Sequence, residues 1–231
     1  MLGLRRVRDS GMIDLRKYRL VDLSERVQPG IKRVDGVYRH GDQTRRLEAE
    51  QWVYAPDQTF MHWVNTETHI GTHVEGPSHY AKEGREIGEM ALETFIGEAA
   101  LVRLSDKKPR DPVTPDDLVR AGVKQNDIVL LSSPYKGEDR PYISPQASEW
   151  MLKTGIKMLG ADESIVVDRG SRTKAGQMTT HKFLLGNDIP IVERLANLDE
   201  LSKNRFLFIG FPLRIAGIDS SWIRAVALEE R

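Results

Sequence analysis

Apolar runs of strand length, broken by two helical segments with the same punctuation, predict an α/β domain built on a mixed sheet. The runs are residues 98–104, 127–132, 189–193 and 205–211, too short for ordinary helices and rich in Val, Ile, Leu and Phe. The helices are residues 114–122 and 144–155. Each opens on Thr or Ser followed by Pro and closes on Gly, the order of a side-chain cap, a first-turn proline and a left-handed stop. Strands and helices do not alternate strictly, so a purely parallel sheet is not expected. The 231 residues hold no repeat, low-complexity segment or evident boundary. Residues 1–231 therefore read as a single domain, with residues 1–17 a possible N-terminal arm.

The remaining elements follow in chain order. Residues 18–24 alternate apolar and polar side chains and read as a strand. Residues 28–57 are polar and suggest a long irregular excursion or weak hairpin. Residues 60–64 form a second strand leading onward. Residues 157–160 and 165–168 are short strands, residues 180–185 a helical turn, and residues 225–228 a closing strand.

Composition narrows the function classes. Hydrophobic residues make up 39% and charged residues 29%, which is ordinary for a soluble globular protein. Lys+Arg and Asp+Glu balance at 34 each, so nothing points to nucleic acid or an anionic membrane as partner. No apolar run is long enough to span a bilayer. Arg5, Arg6, Arg8, Arg16 and Arg19 enrich the N-terminus without the apolar stretch of a secretory signal, and Asp9 and Asp14 are unlike a transit peptide. The default location is cytoplasmic. Cysteine is absent, which excludes disulfides, a thiolate nucleophile and cysteine-rich zinc modules. Any metal must be held by nitrogen and oxygen.

One segment satisfies that condition. His69, His73, Glu75 and His79 fall within eleven residues, at offsets of zero, four, six and ten. Imidazole and carboxylate suit borderline divalent ions such as Zn²⁺ and Mn²⁺. Gly71, Gly76 and Pro77 argue against a helix here. On an extended path all four odd-numbered side chains face the same way. His40 and His62 have no such company and read as structural or solvent-exposed. Ser78 beside His79 does not make a nucleophile–base pair, because neighbours on an extended chain point apart.

The segment 69–79 resembles the His-x-Gly-Thr-His-x-Asp-x-Pro-x-His signature of the cyclase-like metal-dependent hydrolases, a family that includes bacterial kynurenine formamidases and isatin hydrolases. Downstream, residues 160–164 resemble its Gly-x-Asp-x-x-Ser turn, and residues 181–198 its His-x-x-Leu-Leu…Ile-x-Ile-x-Glu-x-Leu-x-Asn-Leu block. Residues 212–227 resemble its closing segment. The resemblance implies a swivelling β/β/α fold, usually assembled as a homodimer or homotetramer. It implies a first metal on His69, His73 and Glu75, with Glu75 also reaching a second metal on His181 and Glu193. His79 is implied as the acid/base group. The family's aspartate is Glu75 here, one methylene longer, so one or two ions remain open, as does the choice between Zn²⁺ and Mn²⁺.

The implied reaction is hydrolysis of a C–N bond in a small arylformamide or cyclic amide, N-formylkynurenine being the leading substrate. Water made reactive by the metal attacks the carbonyl, and His79 carries its proton to the departing nitrogen. Residues 27–36 match the formamidases' Pro-Gly-Asp stretch poorly. Ring opening of an isatin-like or lactone substrate is the alternative, and a non-catalytic metal-stabilised binding or assembly protein is the alternative of another class. Phe60, Trp63, Tyr80 and Trp222 are candidates for an aromatic wall, although core roles suit each of them better. Arg172 and Arg224 are candidates to hold a substrate carboxylate, although structural or surface roles suit both better.

Overall fold

The computed structural model describes residues 14–29, 39–40, 43–44, 47–169 and 178–231. The N-terminal half holds β1 (Tyr18–Asp22), the short pair β2 (Arg39–His40) and β3 (Gln43–Thr44), the hairpin strands β4 (Leu47–Tyr54) and β5 (Thr59–Thr66), then β6 (His73–Glu75) and α1 (Pro77–Tyr80). Next come β7 (Ile96–Arg103), β8 (Pro112–Val113), α2 (Pro115–Arg120), β9 (Ile128–Ser132) and β10 (Tyr142–Ile143). The rest comprises α3 (Pro145–Thr154), β11 (Met158–Asp162), α4 (Thr179–Leu184), β12 (Ile191–Leu195), β13 (Arg205–Ile209), β14 (Ser220–Trp222) and β15 (Val226–Glu230).

Nine strands form one sheet in the order β1-β15-β13-β7-β9-β11-β12-β6-β14. The centre, β7-β9-β11-β12, is parallel, and the flanking pairs are antiparallel. Central parallel strands are covered on both faces, which explains why β9 is apolar almost throughout. Alternation divides its side chains: Ile128 and Leu130 enter one core, Val129 and Leu131 the other. The first core is closed by the sheet itself, through Phe206, Phe208, Val21 and Ala227. The segment after β1 returns to β12: Ser24 bridges Leu195, and the Ala196 N–H donates to the Leu23 carbonyl at 2.9 Å. The second core is roofed by helices, with Leu118 from α2, Ala147 and Met151 from α3, and Leu184 from α4. Strand-covered on one face and helix-covered on the other, the mixed sheet has the expected β/β/α layering.

The helix punctuation works as read. In α2 the Thr114 N–H donates to the Asp117 carboxylate at 2.7 Å in a capping box. In α3 the Ser144 hydroxyl accepts from the Ala147 N–H at 3.1 Å, and Gly155 stops the helix at φ 72°.

Two expectations need correction. Residues 165–168 are not a strand; among the described residues Val166 makes a single bridge, to Tyr142. The strand expected at 60–64 is present as β5, which pairs with β4 and not with the main sheet. Phe60 and Trp63 are consequently exposed rather than core. Residues 1–13 of the expected arm, Arg172 and the His40 side chain lie outside the described residues; His62 is exposed, as expected. No helix among the described residues is long and apolar enough to cross a membrane.

Candidate metal centre

β6 supplies the floor of the site. Val74 points into the strand-covered core, so His73 and Glu75 face the helix side of the sheet. The antiparallel ladder with β12 sets Glu193 opposite His73, and the ladder with β14 sets Ser220 opposite Glu75. Asp219 therefore lies just beyond Glu75, fixed by the Gly76 N–H donating to its carbonyl at 2.8 Å.

Two turns complete the motif. Gly71, at φ 63°, folds His69 back over β6. Pro77 starts the one-turn helix α1, which lifts His79 over Glu75, four residues behind it. The segment is thus not extended throughout, and the shared parity of its candidate ligands applies only within β6. From the roof, α4 presents His181. Its first turn is anchored by Asp168, whose carboxylate accepts from the Thr180 N–H at 2.9 Å and the His181 N–H at 3.2 Å.

The four imidazoles converge on Glu75, which is buried. His69 Nδ1 lies 2.9 Å from Oε1 and His181 Nε2 lies 3.2 Å from Oε2. His73 Nε2 and His79 Nε2 are 3.5 and 3.7 Å from Oε1. Each ring is also held from behind. His73 Nδ1–H donates to the Gly71 carbonyl at 2.8 Å, and His181 Nδ1–H to Asp168 at 2.5 Å. His79 Nδ1–H donates to Asp219 at 2.7 Å, and His69 Nε2 meets the same Asp219 oxygen at 2.9 Å. An ionised carboxylate only accepts, so His79 and His181 each carry a proton at Nδ1. The Nε2 atoms of both rings are thereby turned toward Glu75.

Electrostatics follow from that crowding. Burial alone would lower the His69 pKa, but the carboxylates of Asp219 and Glu75 outweigh it and raise it to about 9. For His181, burial is likewise outweighed by Asp168 and Glu75, and the value rises to about 10. Burial would raise Glu75, yet the hydrogen bonds from His181 and His69, with the His73 ring close by, hold it well below the usual carboxylate range. Asp219 is held low by His69 and His79. Burial, then the charge of Glu75, pushes Glu193 up.

The donor set fits a divalent cation. His73 Nε2 is buried with no hydrogen-bond partner, a costly state that a bound ion would relieve. Three overlapping groups bring ligand atoms within 4.8 Å of one another: His69 with His73 and Glu75, His69 with His79 and Asp219, and Glu75 with His79 and His181. Glu193 belongs to none of these groups among the described residues, although it faces the same space and feels Glu75 and three of the histidines. A carboxylate behind the coordinating imidazole, as Asp168 stands behind His181, is the usual support of a histidine ligand.

Other sequence candidates fare differently. Ser78 Oγ is buried without a partner, so no base contacts it. Arg224 is exposed and spends its guanidinium on Asp22, at 2.6 and 2.9 Å. The four candidate aromatics do not form one wall: Tyr80 packs on the helix-side core, Trp222 donates to the Glu67 carbonyl at 3.2 Å, and Phe60 and Trp63 lie on the hairpin. Sequence reading gave no role to Asp168 or Asp219. Both sit in stretches singled out for their pattern, but no local spacing ties an aspartate to a histidine 13 or 140 positions away.

Comparison with known proteins shows the family and the fold. A family model, Cyclase, described as "Putative cyclase", matches residues 21–168. The kynurenine formamidase of Erythrobacter litoralis is 29% identical over 218 residues, covering 91% of this chain and 94% of that protein. Isatin hydrolase A from Labrenzia aggregata, solved with benzyl benzoate bound, superposes with a TM-score of 0.78 at 20% identity, over 94% of this chain and 95% of its own. A Bacillus stearothermophilus protein described as a predicted metal-dependent hydrolase gives a TM-score of 0.72 at 18% identity, over 92% of this chain and 99% of that one. At such identities the structural likeness is one of fold.

Proposed function

The chain belongs to the Cyclase family, and from that premise we propose that it is a metal-dependent hydrolase cleaving a C–N bond of a small arylformamide or cyclic amide. The observation carrying the proposal is the convergence of His69, His73, His79 and His181 on the single buried carboxylate of Glu75. The likeness to kynurenine formamidases over nearly the whole chain supports the arylformamide class. The fold shared with an isatin hydrolase supports ring opening of a cyclic amide as the second reading.

In this proposal His69, His73, Glu75, His181 and Glu193 hold one or two ions, Zn²⁺ or Mn²⁺, and the active form is a homodimer or homotetramer. A bound divalent ion supplies Lewis-acid polarisation of the carbonyl and lowers the pKa of water, to about 7 at favourable zinc sites. The remaining work belongs to the protein. His79, about one-third exposed, is read here as the acid/base group beside the ion rather than as one of its ligands. Asp219 keeps its Nδ1 protonated, leaving Nε2 free to take a proton from attacking water and return it to the leaving nitrogen. An amide nitrogen leaves poorly unless protonated, so this transfer matters.

The test is metal analysis of purified protein, followed by assays on formamides, cyclic amides and lactones with and without chelator. His79→Ala should keep its metal and lose roughly 10²–10⁴ in turnover. Parallel loss of metal would make His79 a ligand. Stoichiometric metal with no turnover on any member of the panel would favour a binding or assembly protein instead.

A further inference from the structure

Strand β12 carries one extra residue where it passes the metal centre. Against β11, Val192 pairs with Gly160 and Leu195 with Asp162, so Glu193 and Arg194 together face Ala161 alone. Such an insertion is a β-bulge, and it resets the alternation of side chains. Val192 and Leu195 both enter the strand-covered core, whereas an unbroken strand would put Leu195 on the same face as Glu193. Glu193, opposite His73, is thereby turned to the metal site while the strand closes the core on either side of it. Arg194 takes up the change at φ 60°, a left-handed conformation that a residue with a Cβ adopts only under constraint.

Thr72, Glu25 and Glu163 supply the constraint. The Thr72 hydroxyl donates to the Arg194 carbonyl at 2.6 Å. The Arg194 guanidinium grips the Glu25 carboxylate at 2.7 and 2.8 Å and reaches Glu163 at 2.5 Å. Thr72, only 4% exposed, also accepts from the Glu25 N–H at 2.7 Å. One buried hydroxyl thus ties the residue before His73 to the residue after Glu193, 122 positions away. The segment around Glu25 runs on between the same two strands: Ser24 bridges Leu195, and Val27 occupies the space that a Cβ on Gly71 would need.

We propose that Thr72 and Arg194 are positioning residues of the metal centre: the hydroxyl clips the left-handed bulge so that the Glu193 carboxylate stays turned toward His73. This rests on the reading above that His73 and Glu193 hold the ion. Neither positioning residue touches the ion or the substrate; both act through the backbone of β12. The hydroxyl matters more than the charges. Glu163 is 65% exposed, and ion pairs open to water hold little. Removing the hydroxyl instead leaves the Arg194 carbonyl and the Glu25 N–H short of a partner beside the site, which the chain relieves by shifting the bulge.

Titration of the metal-free full chain with Mn²⁺ in a calorimeter tests the proposal, with circular dichroism to follow the fold. Thr72→Val keeps the shape without the hydroxyl and should weaken Mn²⁺ binding by roughly 10–100-fold, and Thr72→Ser should restore it. Arg194→Gly accepts the left-handed φ and should bind close to wild type, although it loses the ion pairs. Arg194→Val, β-branched, should lose as much as Thr72→Val. In a Glu193→Ala background Thr72→Val should cost nothing further, because both act through one carboxylate; general loosening of the fold would cost the same in either background. Undiminished affinity in Thr72→Val, equal loss in Arg194→Gly and Arg194→Val, or additive losses in the double variant would each overturn the proposal and leave the ligand reading intact. Undiminished affinity in Glu193→Ala would overturn both.

Discussion

Loading the metal-free protein with Mn²⁺ should expel protons, and the number follows from the site. His69 and His181, raised to about 9 and about 10 by the carboxylates around them, are each ~99% or more protonated at pH 7. A histidine ligand must be neutral at its coordinating nitrogen. His181 can give up its Nε2 proton and keep Nδ1–H on Asp168. His69 must release one of the two protons it shares with Glu75 and Asp219. Binding near pH 7 should therefore release about two protons. Because both values are raised, apparent affinity climbs with pH, by up to about two decades per unit, and levels off once pH passes them. Calorimetry in two buffers of different ionisation heat reads the number directly. His181→Asn should lower it by about one. Release above two would identify Glu193, pushed up by burial and by Glu75, as a further proton carrier. Release below about half a proton would refute the premise that the imidazolium charges occupy the place of the ion.

Other perturbations reach different parts of the structure. Asp219→Asn removes the acceptor that fixes His79 and should cut kcat by roughly 10–100-fold, with little change in KM; an unchanged kcat would detach Asp219 from the proton transfer. Gly71→Ala forces φ 63° on a residue with a Cβ and drives that atom to 2.3 Å from Val27 Cγ2. It should cost about 1–3 kcal/mol and lower metal content with Tm, both readable by calorimetry and elemental analysis. Asp117→Ala should destabilise by about 1–2 kcal/mol in urea titrations at pH 7, through loss of the α2 cap and of the Lys107 ion pair at 2.7 Å. Burial would raise the Asp117 carboxyl, but Lys107 and Thr114 outweigh it and depress it below 3.8. Its contribution is therefore complete above that unfolded value and disappears as pH falls through the folded one. The Asp117→Ala penalty should shrink in strong acid.

The amino-acid sequence alone determined the elements whose causes are local. Ser144, Pro145 and Gly155 delimit α3 because a cap, a fixed φ and a left-handed stop act within one turn of chain. The apolar run of β9 announces a buried strand, and the spacing of His69, His73, Glu75 and His79 announces metal-binding chemistry before any fold is known. Tertiary structure decided what depends on strand order. Asp168 and Asp219 become partners of His181 and His79 only because β14 docks beside β6 and α4 roofs the same face. Glu193 meets His73 because β12 pairs with β6 in one particular register. That β5 pairs with β4 rather than with the main sheet is likewise invisible locally, because a strand-like run reports that a strand exists, whereas its neighbour is set by long-range packing. Local pattern is written by residues within a few positions of each other; the convergence that makes a site reactive is written by which distant surfaces exclude water together.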